Sequence, residues 1–255
     1  MKMGINVSLD ENIRDIKKYL KSIKAAGIND IRMSIPSSVD PDKINNISKE
    51  IEGHEMKAYV TLFEVNSSGE SEMFKAISEN CQVIVKRYEQ VLEALVPDTV
   101  YAVGLIGNIH LLVKSGNLSK FGLKKSYVAD VLNKISKAIS DKGFKVAFPM
   151  RIDDVGRKVW EGQVPFDVYD IEMMLNPKTI PIAHKLDKPL IFGRAGVLGG
   201  YVMPASQVKA LRELRELGKD IADVAYLWSD KKHEKFKWSR DGKMVVDILG
   251  RKLIG

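Results

Sequence analysis

The sequence predicts one (β/α)8 barrel spanning residues 1–255. Three observations lead there. Short apolar strand segments alternate strictly with amphipathic helical segments, which implies parallel strands joined by crossovers. The chain has 255 residues, and a closed barrel of this kind takes about 250. The alternative, a doubly wound open sheet, usually carries a glycine-rich fingerprint after its first strand. Here that position reads Val7-Ser8-Leu9-Asp10-Glu11. No linker or break in composition divides the chain, so a single domain is expected.

The elements follow in order. Met3–Leu9 reads as the first strand. Asp10 is placed to cap the next helix, whose apolar stripe is Ile13, Ile16, Leu20 and Ile23, with Lys17, Lys18, Lys21 and Lys24 off it. Gly27 is its expected stop. Asp30–Ile35 forms the second strand, closed by Pro36, and a short helix covers Pro41–Ile51. Lys57–Glu64 is the third strand. A helical stretch over Glu70–Leu95, in one piece or two, ends before Pro97. Thr99–Ile106 is the fourth strand, and the longest connection, residues 107–125, follows it. The next helix shows Val128, Val131, Leu132, Ile135 and Ile139 on one face and stops at Gly143. Phe144–Met150, Phe166–Met173, Pro189–Arg194 and Ile221–Trp228 are strands five to eight. Between and after them, helices are expected near Asp154–Glu161, Pro177–Leu186, Pro204–Leu217 and Lys243–Leu253.

Composition excludes several classes. Hydrophobic residues make up 45% and charged residues 29%, so disordered, collagenous and low-complexity readings fall away. No apolar run approaches the roughly 20 residues of a membrane span, and Met1-Lys2 leads directly into Gly4-Ile5-Asn6-Val7 without a signal-peptide pattern. A cytoplasmic protein without membrane contact is expected. Cys81 is the one cysteine; it excludes an internal disulfide and a thiolate metal site, and its neighbours Val83 and Ile84 make it a small core residue. Abundant Lys, Ile and Glu suit a heat-adapted source.

The net charge is +7. Residues 231–252 hold eight Lys or Arg against Glu234, Asp241 and Asp247, an excess of five. The basic segment 231–255 is expected to pack on the barrel as a solvated helix and loop, with Phe236, Trp238 and Arg240 as a lid, and nucleic acid is not the expected partner.

In a barrel of this kind function sits where strands end and the following loops begin. The polar residues there are Arg32 and Ser34 on strand two, Glu64 on strand three, and Asn108 and His110 after strand four. Arg151, Asp153 and Asp154 follow strand five; Asp170 and Glu172 share one face of strand six; Arg194 ends strand seven; Tyr226 and Trp228 end strand eight.

Four segments in strand order resemble the clan A glycoside hydrolases, retaining (β/α)8 enzymes of the endoglucanase and mannanase type. Leu20–Pro36 looks like their first helix and second strand, including the strand-two arginine at Arg32. Val103-Gly104-Leu105-Ile106-Gly107-Asn108-Ile109 is similar to a fourth strand that normally ends Asn-Glu. Lys188–Gly196 is similar to a seventh strand that normally carries a glutamate, and Tyr226-Leu227-Trp228-Ser229-Asp230 looks like an eighth strand whose tryptophan floors the sugar site.

The departures matter more. The family's acid/base glutamate falls on Ile109 and its nucleophile on Arg194. Isoleucine has no proton to give, and arginine stays protonated in proteins. The resemblance therefore implies a barrel without the family chemistry, one that binds a carbohydrate or an anionic small molecule or serves as a scaffold. The expected ligand-binding residues are Arg32, Glu64, Asn108, His110, Asp170, Glu172, Arg194 and Trp228. The fallback catalytic pair is Glu64 with Glu172. No cofactor and no metal are expected, a site of His110 with Glu172 being disfavoured. Arg194 is expected to be salt-bridged, with Glu172 or Asp170 as first candidates. Gly193, Gly196, Gly199 and Gly200 after strand seven admit two readings. One is a backbone anion site with Arg194 amid it; the other is a tight turn needing positive φ.

Overall fold

The computed structural model describes residues 1–63, 70–109, 118, 124–152, 155, 160, 162–174, 185–196, 215–216 and 218–227. Eight parallel strands pair in sequence order, and β1 closes on β8. They are β1 (Lys2–Ser8), β2 (Asp30–Ser34), β3 (Lys57–Thr61), β4 (Val100–Gly104), β5 (Val146–Met150), β6 (Val168–Met174), β7 (Leu190–Gly196) and β8 (Val224–Leu227). The α-helices described over their full length are α1 (Ile13–Ala25), α2 (Pro41–Gly53), α3 (Glu70–Ala94) and α4 (Lys125–Asp141), and a short 3-10 turn spans Pro97–Thr99. The predicted (β/α)8 barrel is the observed fold. The helix expected at Lys243–Leu253, nearly all of those at Asp154–Glu161, Pro177–Leu186 and Pro204–Leu217, and the basic segment 231–255 lie outside the described residues.

Local chemistry explains the helix ends. The cap of α1 is Asn12 rather than Asp10: its backbone is extended, and its side chain accepts from the Arg14 N–H. Asp40 caps α2 in the same way, with Pro41 at the first helical position, where its missing N–H costs nothing. The α3 stretch is two helical pieces meeting at Asn80, whose φ of −157° and ψ of 76° are not helical, which bears out the two-piece reading.

Several strands are shorter than the apolar runs that predicted them. Leu62, Leu105 and Ile106 lie beyond the ends of β3 and β4 yet remain buried. Apolar character reports burial, and burial continues past the last ladder hydrogen bond. The seventh strand instead runs past Arg194 to Gly196.

Strand alternation divides the apolar residues between two cores. The larger lies between the strands and the helices, where Ile31, Val60, Val103 and Phe148 meet Ile16, Leu20, Ile47, Val91, Leu132 and Ile135. Each such side chain contributes roughly 1.5–3 kcal/mol relative to exposure. Cys81 belongs to this core as a buried free thiol. The smaller core fills the barrel itself with Tyr59, Ala102, Ala147, Val168, Ile191, Val224 and Tyr226. Two tyrosines fit there because glycines face them. A Cβ on Gly4 would stand 2.5 Å from the Tyr226 ring, and one on Gly104 would stand 2.6 Å from the Tyr59 hydroxyl. No helix among the described residues is long and apolar enough to cross a membrane.

Candidate functional site

Above the two tyrosines the inward positions turn polar. Arg32, Thr61 and Asp170 are all buried, and burial of such groups demands partners. Arg32 on β2 is 5% exposed. Its Nη1 donates to Asn6 Oδ1 and Ser34 Oγ, each at 3.3 Å, and its guanidinium lies 6.0 Å from the centre of the Tyr59 ring. Ser34 Oγ and Thr61 Oγ1 share a hydrogen bond of 3.3 Å.

Asp170 on β6 is 6% exposed. The Tyr59 hydroxyl donates to its Oδ2 at 2.5 Å, and the Gly193 N–H donates to its Oδ1 at 2.9 Å. Burial pushes the Asp170 carboxyl above the ordinary carboxylate range. The Arg32 charge, the Tyr59 hydrogen bond, the Arg194 charge and the Gly193 N–H all pull it down, and burial outweighs them. Tyr226 is likewise pushed well up, chiefly by burial and then by the nearby Asp30 charge.

The Asp170–Gly193 contact coincides with an irregularity in β7. Between β6 and β7 the pairing runs from Asp170 opposite Ile191 to Glu172 opposite Arg194. Between β7 and β8 it runs from Phe192 opposite Ala225 to Ala195 opposite Leu227. On both sides β7 carries one residue more than its neighbour, which defines a bulge at Gly193-Arg194. A Cβ on Gly193 would fall 1.9 Å from Asp170 Oδ1. Gly193 is therefore required by the close approach of a carboxylate. It is not among the residues with positive φ, which corrects the tight-turn reading at this position.

The bulge helps bring Arg194 to a cavity at the C-terminal end of the barrel. The cavity is lined by Arg32, Gly107, Asn108, Pro149, Met150, Arg151, Asp170, Glu172 and Arg194. Its volume is about 30 Å³, room for one or two water molecules. Asn108 reaches it from the turn after β4 with φ of 56°, a left-handed conformation that asparagine tolerates better than most residues. The next residue, Ile109, is 1% exposed and packed in the outer core.

Five of the eight expected binding residues thus meet around one cavity: Arg32, Asn108, Asp170, Glu172 and Arg194. Glu64, His110, Trp228, Gly199 and Gly200 lie outside the described residues, and with Glu64 the Glu64–Glu172 pair. Glu172 and Arg194 stand opposite each other in the β6–β7 register. Among the described residues no group of three His, Cys, Asp or Glu could hold a metal ion.

Two participants were missing from the expected set. Arg151 follows β5 directly and lines the cavity. Tyr59 lies beneath it and holds Asp170. The signal for Tyr59 was available in its parity: it stands two residues before Thr61 on β3, and both are buried inward positions.

No family model matches the chain, and no curated protein matches it. Solved structures do. A GH113 β-1,4-mannanase aligns over 98% of this chain and 99% of its own, with a TM-score of 0.68 and 11% identity. Cel5A of Thermotoga maritima, in complex with a mannotriose substrate, aligns over 97% of both chains with a TM-score of 0.66 and 11% identity. The β-mannanase of the blue mussel Mytilus edulis aligns over 98% of this chain and 91% of its own, with a TM-score of 0.65 and 12% identity. At such identities the likeness shows a shared barrel fold, and activity has to be argued from the site.

Proposed function

We propose that the protein is a glycoside-hydrolase-like barrel that does not hydrolyse glycosides and instead binds a carbohydrate or another small polar ligand at its mouth. The observation that carries this is the pair of residues at the positions where the resemblance puts the catalytic glutamates. Ile109 is an apolar side chain buried in the outer core, and Arg194 is a permanent cation lining the cavity. Retaining hydrolysis requires two carboxyl groups about 5–5.5 Å apart across the scissile bond. Asp170 has the raised pKa that a general acid needs. Both of its oxygens, however, are engaged by Tyr59 and Gly193 below the mouth. Glu172 is the remaining carboxylate among the described lining residues. The polar lining is what a ligand with several hydroxyl or charged groups needs.

The test is a hydrolysis assay with aryl β-glycosides, β-glucan and mannan. Purified protein should release no more product than a heat-killed control. Turnover that disappears in a Glu172→Gln variant would establish the opposite reading, an active hydrolase with relocated carboxylates such as Glu64 and Glu172.

A further inference from the structure

We infer that the mouth cavity takes a compact oxyanion, the carboxylate of a sugar acid or the phosphate of a sugar phosphate, and that the β7 bulge is the device that presents Arg194 to it. The inference rests on the binding reading above and names the chemistry of the ligand. Its first support is the lining, where Arg32, Arg151 and Arg194 face Asp170 and Glu172 in one small cavity. Three arginines, each also engaged within the protein, converge on this one cavity. Asp170 is committed within the protein, its oxygens accepting from the Tyr59 hydroxyl and the Gly193 N–H. Each guanidinium carries five N–H donors in a planar fork, enough to serve an internal partner and a planar or tetrahedral oxyanion together.

The second support is the framework behind Arg194. Gly104 leaves the space that the Tyr59 hydroxyl occupies, since a Cβ there would approach it to 2.6 Å. Tyr59 then holds one oxygen of Asp170, and Asp170 uses the other to hold the Gly193 N–H in the bulge. Arg194 is the next residue. Three strands, β3, β6 and β7, thereby fix the backbone from which one cation reaches the cavity. Bulges next to functional sites commonly re-aim a side chain in this way. The third support is size. A volume of about 30 Å³ matches one substituent of a ligand, displacing one or two waters.

The experiment measures thermal stability and calorimetric binding at matched ionic strength with four probes: inorganic phosphate, glucose 6-phosphate, glucuronate and neutral glucose. A ligand that binds only the folded state raises the Tm in a saturable way. The expected result is a saturable rise with phosphate and glucose 6-phosphate, or with glucuronate, that glucose does not produce. The group that acts identifies the source of the oxyanion. Arg194→Gln should weaken that binding by about tenfold or more, the worth of a charge-assisted hydrogen bond, and Arg151→Gln serves if the first variant does not fold. No response to any of the three anions, or a response unchanged in both variants, overturns the inference. Binding of glucose alone overturns it too, while leaving the carbohydrate-binding reading standing. Glycoside hydrolysis would remove that reading without touching the anion result.

Discussion

Asp170 is the residue on which the interior turns, and its environment sets a pH dependence. Burial raises its pKa above the ordinary 3.8 despite two cations and two hydrogen bonds. A folded-state pKa above the unfolded value means that the native state binds the proton more tightly. The contribution of Asp170 to stability is then most favourable below the ordinary carboxylate value. It declines as pH rises from there through the raised folded value. Asp170→Asn keeps an oxygen to accept from the Gly193 N–H and offers an N–H₂ to the Tyr59 oxygen, while removing the buried charge. Chemical denaturation between pH 4 and 8 should show the variant gaining on the wild type as pH rises. Asp170→Ala instead leaves both donors unsatisfied and should cost about 1–3 kcal/mol for each across that range. A stability difference between wild type and Asp170→Asn that does not change with pH would contradict the assignment.

At the scale of strands, glycines and tyrosines are complementary. The barrel interior is filled from β3 and β8 by Tyr59 and Tyr226, and β4 and β1 give way with Gly104 and Gly4. Gly104→Ala should therefore destabilise the protein by about 1–3 kcal/mol through overpacking. The clash is with a hydroxyl oxygen at 2.6 Å, the ring carbon behind it lying at 3.2 Å. In a Tyr59→Phe background the same substitution should cost less, and a double-mutant cycle measures the difference. Equal costs in both backgrounds would mean that the strand moves and the hydroxyl does not set the spacing.

This complementarity also marks what was readable in the sequence. Eight strands and the inward parity of Arg32, Asp170 and Glu172 follow from local period alone, because alternation and helical stripes are written in consecutive residues. The cap of α1 was misplaced by two positions because Asp10 and Asn12 are both good caps. The Tyr59–Asp170 contact joins residues 111 apart, and no local pattern encodes it. The bulge depends on two registers at once, those of β7 with β6 and with β8. Gly193 in a strand run hinted at it, although the reason, a carboxylate where a Cβ would be, exists only in the assembled barrel.

Across the whole molecule the two ends of the barrel carry different work. The cavity with its arginines opens among the C-terminal ends of the strands, where barrels of this class place function, and the opposite end reads as stability. At that opposite end the Tyr101 hydroxyl donates to Asp223 Oδ2 at 2.7 Å, tying β4 to the residue before β8. Lys145 lies 5.6 Å from the centre of the same ring. Burial and the Asp223 partner both push the Tyr101 hydroxyl up in pKa, so it remains a donor throughout the physiological range. Tyr101→Phe removes one hydrogen bond and should lower stability by about 0.5–1.5 kcal/mol. It should leave the anion-induced rise in Tm, and its half-saturating concentration, unchanged. Arg194→Gln should abolish or weaken that rise. If Tyr101→Phe shifted the anion response as strongly as Arg194→Gln does, the two ends would be coupled, and the separation of stability from binding would fail.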